Sequence, residues 1–244
     1  MSGSKTAAQT NRLLSALADR SRRRFLKDCE LVDLRFATVL CEPGEPIQYA
    51  YFPLESFISL VTTLADGSRM EVGIVGDEGM LGTSLILGVH RSPQHAVVQG
   101  AGAAMRMAAP AFRRALVKDD ALRRTLERYV CVLMRQLAQT TACNHFHLVE
   151  KRLARWLLLT RDRAHSNQFR LTHEFMAYML GVRRVGITRA ARSLQAGGLI
   201  NYARGQIEIL DGAGLERATC RCYSDGRAMY ERTLGAPRDA LRWR

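Results

Sequence analysis

Residues 171–200 read LTHEFMAYMLGVRRVGITRAARSLQAGGLI, and how this stretch folds decides the rest of the chain. Thr172 is a good N-cap for a helix, and Glu174 puts a carboxylate in the first turn, where the helix dipole favours negative charge. Phe175, Met176, Met179 and Leu180 recur at helical spacing and mark one buried face. Gly181 breaks that helix. From about Arg183 a second helix sets Ile187, Ala190, Ala191 and Leu194 at i, i+3, i+4 and i+7. Val185, Thr188, Arg189 and Arg192 then point the opposite way. Gly197 and Gly198 end the second helix.

The second helix therefore has an apolar back and a basic, hydroxyl-bearing front, with Arg183 and Arg184 at its N-terminal end. A recognition helix needs this, because arginine grips guanine edges with two hydrogen bonds and a helix tip can meet a phosphate. An ordinary amphipathic helix with a solvated charged face would look the same over these thirty residues. The residues after Gly198 favour DNA. Residues 199–202 and 206–210 alternate as short strands about the turn Ala203-Arg204-Gly205. Helix, turn, helix and hairpin make a winged helix with Arg204 at the wing tip.

This order, with the run LGVRR…ITRAARSLQAGGLI…GQIEILD, resembles the C-terminal domain of the Crp/Fnr family of bacterial transcription regulators. The preceding LVEKRLARWLLLTRD resembles that family's linker helix. The likeness covers residues 145–223 well and residues 30–140 more loosely. It implies a homodimer on an inversely repeated operator in double-stranded DNA, with RNA polymerase as a further partner. Arg184 and Arg189 align with family positions that meet bases, so they are assigned to guanines. Val185 stands where members often carry a glutamate and offers only apolar contact. Arg183, Thr188, Arg192 and Arg204 are assigned to phosphates, which set affinity and salt dependence.

Upstream, residues 1–10 are small and polar and read as a frayed tail, and residues 11–27 as one amphipathic helix carrying Leu13, Leu14, Leu17 and Phe25. Residues 31–34, 38–41, 49–52, 57–63, 70–75, 96–99 and 103–107 read as short strands, with turns at Glu42-Pro43-Gly44-Glu45-Pro46 and Ala65-Asp66-Gly67-Ser68. Such spacing suggests a sandwich, barrel or roll. In the family this region is the antiparallel β-roll of the sensor domain, and CEPGEPIQYAYFPLESFISLV resembles its early strands.

From Pro110 a helical region runs to about Asn144, with a break near Lys118-Asp119-Asp120. Leu122, Leu126, Tyr129, Leu133 and Leu137 recur every three or four residues, with Val130, Met134 and Thr141 on an adjacent stripe. Two stripes imply two packing partners, the chain's own β-domain and a second copy of the helix. The first stripe is assigned to the dimer interface, since this helix forms the seam in the family. Residues 145–161 read as a further helix with Leu148, Leu153, Trp156, Leu157 and Leu159 as core, and residues 162–170 as a polar connector. Beyond Leu215 a short helix with Cys220 and Cys222 leads into an arginine-rich tail expected to be partly disordered. The expected fold is α+β, with an N-terminal antiparallel β-roll (1–118), a long dimerisation helix (119–144), a C-terminal winged helix-turn-helix (145–223) and a basic tail (224–244).

Gly76, Asp77, Glu78, Gly79 and Met80 form a glycine-rich turn before a short helix, where backbone amides can cradle a phosphate. In cyclic-nucleotide-binding members the matching cassette adds a glutamate for the ribose, and an arginine with a small hydroxyl residue for the cyclic phosphate. Gln94 and His95 occupy the latter positions here, and Arg91 lies out of register. Without a cation facing the phosphate, a cyclic nucleotide loses its main electrostatic attraction. These seven residues are the candidate effector site; a cyclic nucleotide is not expected, and another small-molecule effector or a purely structural role is left open. No cofactor is expected.

Cys143, His145 and His147 suggest a metal, but on a helix 143 and 147 share a face and 145 points away, and Cys220-x-Cys222 is not by itself a zinc spacing. No metal site is expected. The cysteine cluster that holds an iron–sulfur centre in some family members is absent from the N-terminal region. Six scattered cysteines, with no secretory signal and no run long enough to span a bilayer, suit a reducing cytoplasm. The net charge of +13 is concentrated: from Lys151 onward 18 Lys+Arg face 8 Asp+Glu, as a polyanion-binding half requires. An arginine-rich genome gives the same bias, since only four of the 36 basic residues are lysine. No GxSxG, HExxH, Walker or Rossmann motif appears, so no enzyme is expected. The rival class is a small-molecule sensor whose basic C-terminal domain binds RNA or a protein partner.

Overall fold

The computed structural model describes residues 10–235. Seven strands, β1 (Glu30–Leu34), β2 (Val39–Cys41), β3 (Tyr49–Pro53), β4 (Phe57–Thr63), β5 (Arg69–Val75), β6 (His95–Gly100) and β7 (Gly102–Ala108), form two antiparallel sheets, ordered β1-β7-β3 and β2-β6-β4-β5. The β4–β5 hairpin turns where Asp66 Oδ1 accepts from the Ser68 amide and Gly67 takes a positive φ. Strand β4 is buried on both faces over its first five residues. Ile58 and Leu60 enter the core of the roll with Val75, Val98 and Ala104, while Phe57 and Val61 face a second core outside it. The run Phe-Ile-Ser-Leu-Val is thus apolar on both faces because each face has its own partner.

The expected N-terminal helix is two, α1 (Arg12–Ser15) and α2 (Asp19–Lys27). Asn11 caps the first, accepting from the Leu14 amide, and donates to the carbonyls of Pro53 and Gly79, each at 2.9 Å. That pins the segment across the roll, where Leu13, Leu14, Leu17 and Phe25 are buried. The tail expected over residues 1–10 lies, save for Thr10, outside the described residues. Helices α3 (Ala109–Lys118) and α4 (Asp120–Phe146) meet at Asp119, whose carboxylate accepts from the amides of Ala121 and Leu122.

The α4 stripe expected at the dimer interface faces its own chain instead. Leu122, Leu126, Tyr129 and Leu133 are buried within their own chain, and Leu137 packs beside the same cores. They close the roll, because the apolar stripe reaches its own β-domain first. Helix α5 spans Val149–Ala164, and Leu148, read as core, is 74% exposed at the hinge before it.

The C-terminal half continues with β8 (Gln168–Arg170), α6 (His173–Leu180), α7 (Arg184–Ala196), β9 (Ile200–Ala203), β10 (Gln206–Ile209), α8 (Gly212–Ala218) and α9 (Cys222–Leu234). The connector over 162–170 holds the end of α5 and the strand β8, which pairs with β10 as third strand of the wing sheet. The expected tail is largely a helix: α9 lies back along α4 with Tyr223 and Tyr230 buried, and the Tyr230 hydroxyl donates to the Glu78 carbonyl at 2.9 Å. Residues 236–244 lie outside the described residues.

The two halves share one interior. Phe57, Val61 and Ile74 of the roll pack with Leu153, Trp156, Leu157 and Met176 in a single cluster. Arg163 Nη2 meets Glu78 Oε1 at 2.6 Å, both side chains nearly inaccessible. Trp156 Nε1 donates to Glu71 Oε1 at 2.8 Å, and the Ser59 hydroxyl links Glu71 Oε2 to Gln99. Burial pushes the Glu71 carboxyl up to about 7, against the lowering pull of the bonds from Ser59 and Trp156. Between the ordinary value of 4.5 and about 7 the folded chain holds a proton that the unfolded chain has released. This contribution to stability is full below pH 4.5 and is lost as pH rises through 7; it is on the order of a few kcal/mol. Glu71→Gln, which keeps an acceptor for Trp156, should flatten that slope. Urea midpoints compared at about pH 5 and about pH 8 test it, and an unchanged slope would mean that another group carries the dependence.

Candidate nucleic-acid interface

Thr172 Oγ1 accepts from the Phe175 amide at 3.1 Å and starts α6, and Gly181 at φ 61° ends it. The Val182 amide then bonds back to the Ala177 carbonyl, setting the turn into α7. Ile187, Ala190, Ala191 and Leu194 are all buried, as their spacing requires. Arg183, Arg184, Arg189 and Arg192 are exposed, Val185 is 55% exposed, and α7 carries no acidic residue.

A groove of about 590 Å³ runs between this face and the wing, lined by His173, Arg184, Val185, Thr188, Arg192 and Tyr202 among others. Its floor is built from contacts that the linear sequence does not display. The His173 ring stacks on Tyr202 at 4.3 Å between centroids. His173 Nδ1 lies 3.1 Å from Thr188 Oγ1, whose hydroxyl donates to the Arg184 carbonyl. Thr188, assigned to a phosphate, therefore has its hydroxyl engaged inside the protein and positions its neighbours. Burial, reinforced by Arg184 and Arg192, holds the His173 imidazole below its ordinary value and favours the neutral ring. Gln195 Oε1 accepts from the Tyr202 amide at 3.0 Å and ties α7 to the wing. His173, Gln195 and Tyr202 escaped sequence reasoning because each meets the site across a turn.

At the wing tip Ala203 pairs with Gln206, leaving a two-residue turn with Arg204 at φ 50° and Gly205 at φ 79°. Positive φ at both positions defines a type I′ hairpin, where Asn-Gly is preferred. Arginine at the first position is a local cost that leaves its guanidinium projecting from the tip.

The candidate effector residues do not converge. Glu78 is committed to Arg163, and Met80 is buried in the roll. A Cβ on Gly76 would lie 2.6 Å from Arg163 Cγ, and one on Gly79 would overlap the Tyr129 hydroxyl. These glycines make room for packed side chains instead of cradling a phosphate. Burial, then the Glu78 charge, pushes the Asp77 carboxyl up to about 6. His95 Nδ1 contacts Glu42 Oε2 at 2.9 Å, and Arg91 Nη1 donates to the Gly44 carbonyl at 2.6 Å. Strand register puts His95 opposite Val61 and Val75 opposite Ile58, on opposite edges of β4. Gln94, half-buried beside His95, has its carbonyl bonded by the Ser92 hydroxyl.

The sequence expectation of no metal site rested on Cys143, His145 and His147 taken along one helix, and the structure brings two of these to the distant cysteines. His145 is exposed, but Cys143 and His147 meet Cys220 and Cys222 with all four ligand atoms within 4.8 Å of one another.

Two family models match the chain: a cyclic nucleotide-binding domain over residues 31–119 and a Crp-like helix-turn-helix domain over residues 151–218. Comparison with curated protein sequences returns no match. Solved structures share the fold. A Crp/Fnr-family regulator from Eubacterium rectale aligns with TM-score 0.67 at 18% identity, covering 84% of this chain and 96% of its own. FixK2 from Bradyrhizobium japonicum gives 0.66 at 16%, covering 79% and 98%. The c-di-GMP responsive global regulator CLP of Xanthomonas campestris gives 0.65 at 16%, covering 80% and 100%. None of the described helices is long and apolar enough to cross a membrane. With a cyclic-nucleotide-binding-type roll joined in this order to an arginine-fronted Crp-like winged helix, the chain belongs to the Crp/Fnr family of transcription regulators.

Proposed function

We propose that the protein acts as a homodimer whose two α7 helices enter successive major grooves of an inversely repeated operator. The observation that carries this is the α7 face with its N-cap: four exposed arginines, Arg183 at the cap and Arg184, Arg189 and Arg192 on the helix, no acid, an apolar back fully buried, and Arg204 beside it on the wing. Arg184 and Arg189 read guanines, Val185 makes apolar contact, and Arg183, Arg192 and Arg204 hold phosphates. A basic domain binding RNA or a protein has no such built groove to recommend it.

The second copy meets α4 on its outer face. Cys131, Met134, Ala138 and Thr141 are exposed at alternating spacings of three and four, the seam pattern of paired helices. Met134, 64% exposed, is the large apolar side chain of this stripe. Regulation by a cyclic nucleotide is not part of this proposal, because Arg91, Glu78 and His95 already have protein partners.

Duplexes selected from a random pool supply the test. Arg189→Ala should weaken binding to a selected duplex by about 1–3 kcal/mol while leaving random DNA unaffected; equal loss on both would remove it from base readout. Arg204→Asn keeps the turn, raises hairpin stability by a few tenths of a kcal/mol to about 1, and lowers the slope of log affinity against log salt by about one. Met134→Glu should yield folded monomers in sedimentation and abolish operator binding at concentrations where the parent binds. A dimer persisting in that variant would place the seam elsewhere.

A further inference from the structure

We propose that Cys143, His147, Cys220 and Cys222 form a closed tetrahedral site for one zinc ion per chain. This site would clamp the hinge between α4 and α5 to the segment just past the wing.

The spacing of the donor atoms is the first argument. Cys143 Sγ lies 3.6 Å from Cys220 Sγ, and Cys222 Sγ lies 3.6 Å from His147 Nδ1. An ion bonded to thiolates at about 2.3 Å and to imidazole at about 2.0–2.1 Å holds tetrahedral ligands roughly 3.5–3.8 Å apart. All four donors fall within 4.8 Å of one another, room for one ion and too tight for a cluster of irons and sulfides. The cysteines are free thiols, and their three side chains make a small buried cluster of their own.

Donor chemistry is the second. Three sulfurs and an imidazole are a soft set that suits zinc and rejects calcium or magnesium. Four protein ligands leave no open position, so the ion is structural and not catalytic.

The surroundings complete it. Gln139, one turn before Cys143 on α4, donates from Nε2 to Cys222 Sγ at 2.9 Å. Arg155, held by a 2.8 Å bond to Thr140 Oγ1, acts electrostatically on Cys143. Zinc with three thiolates and a neutral imidazole carries one net negative charge, which this guanidinium balances.

Placement gives the site its consequence. Cys143 lies on the last turn of α4, and His147 is its C-cap, with extended backbone at φ −108° and ψ 143°. Cys222 opens α9 and Cys220 lies two residues before it, and Thr219 Oγ1 donates to the Lys151 carbonyl beside them. One ion would therefore join the seam helix, the hinge and the far end of the winged helix. The angle at that hinge sets the separation of two α7 helices in a dimer. This last step rests on the DNA-binding proposal, whereas the site does not.

The test measures metal on the full-length protein. Elemental analysis after zinc loading and gel filtration should give close to one zinc per chain, and Cys220→Ser or Cys222→Ser should lose it. Cobalt(II) substitution of the parent should give the visible bands of a tetrahedral thiolate complex; this needs no variant and does not depend on how a substitution folds. Gln139→Ala keeps all four ligands and should lower zinc affinity about ten- to a hundredfold. A folded parent that retains no zinc, a six-coordinate cobalt spectrum, or a Cys143–Cys220 disulfide in protein kept reduced would each overturn the proposal. Loss of DNA binding in a zinc-loaded protein would count against the operator reading alone.

Discussion

The apolar face shared by the β-roll and the winged helix is the constraint on which the other contacts depend. Phe57, Val61 and Ile74 on one side and Trp156, Leu157 and Met176 on the other form one interior. The polar groups inside it are specific: Arg163 with Glu78, and Trp156 with Glu71. A buried ion pair adds little net stability, yet removing one partner costs about 3–5 kcal/mol. Glu78, one of the candidate effector residues, is here devoted to the neighbouring domain through Arg163.

That exchange recasts the glycine-rich turn. In sequence, Gly76 to Met80 looks like a place where amides meet a phosphate. In three dimensions Arg163 fills the space over Gly76 and Tyr129 the space over Gly79. The segment is a joint contacted by α4, α5 and, through Tyr230, α9. A signal acting on this joint would reach the recognition helix through α5, which carries Arg163 at the joint and packs against α7.

The recognition surface is organised in two layers. Exposed arginines form the outer one, and His173, Tyr202, Thr188 and Gln195 the inner one, tying α6, α7 and the wing together. Held this way, α7 and the wing approach DNA as one body, which limits the ordering cost of binding. The same logic applies at α4, whose inner stripe closes the roll and whose outer stripe is free for another copy.

Periodicity in the chain determined the elements themselves: the roll strands to within about a residue, the break at Asp119, the cap at Thr172 and the buried quartet of α7. These are local matters, set by side-chain spacing and by backbone groups within a turn or two. Partnership was decided only by the tertiary structure. Helical spacing shows that Leu122 and Met134 lie on different stripes, but which one faces the roll depends on how α4 is rotated against it. Strand β8 went unseen because it forms only through β10, and the helix read around Cys220 and Cys222 proved longer because α9 packs back along α4. Cys143 and Cys220 stand 77 positions apart and meet at 3.6 Å; proximity of that kind is a product of packing, and no count of residues along the chain contains it.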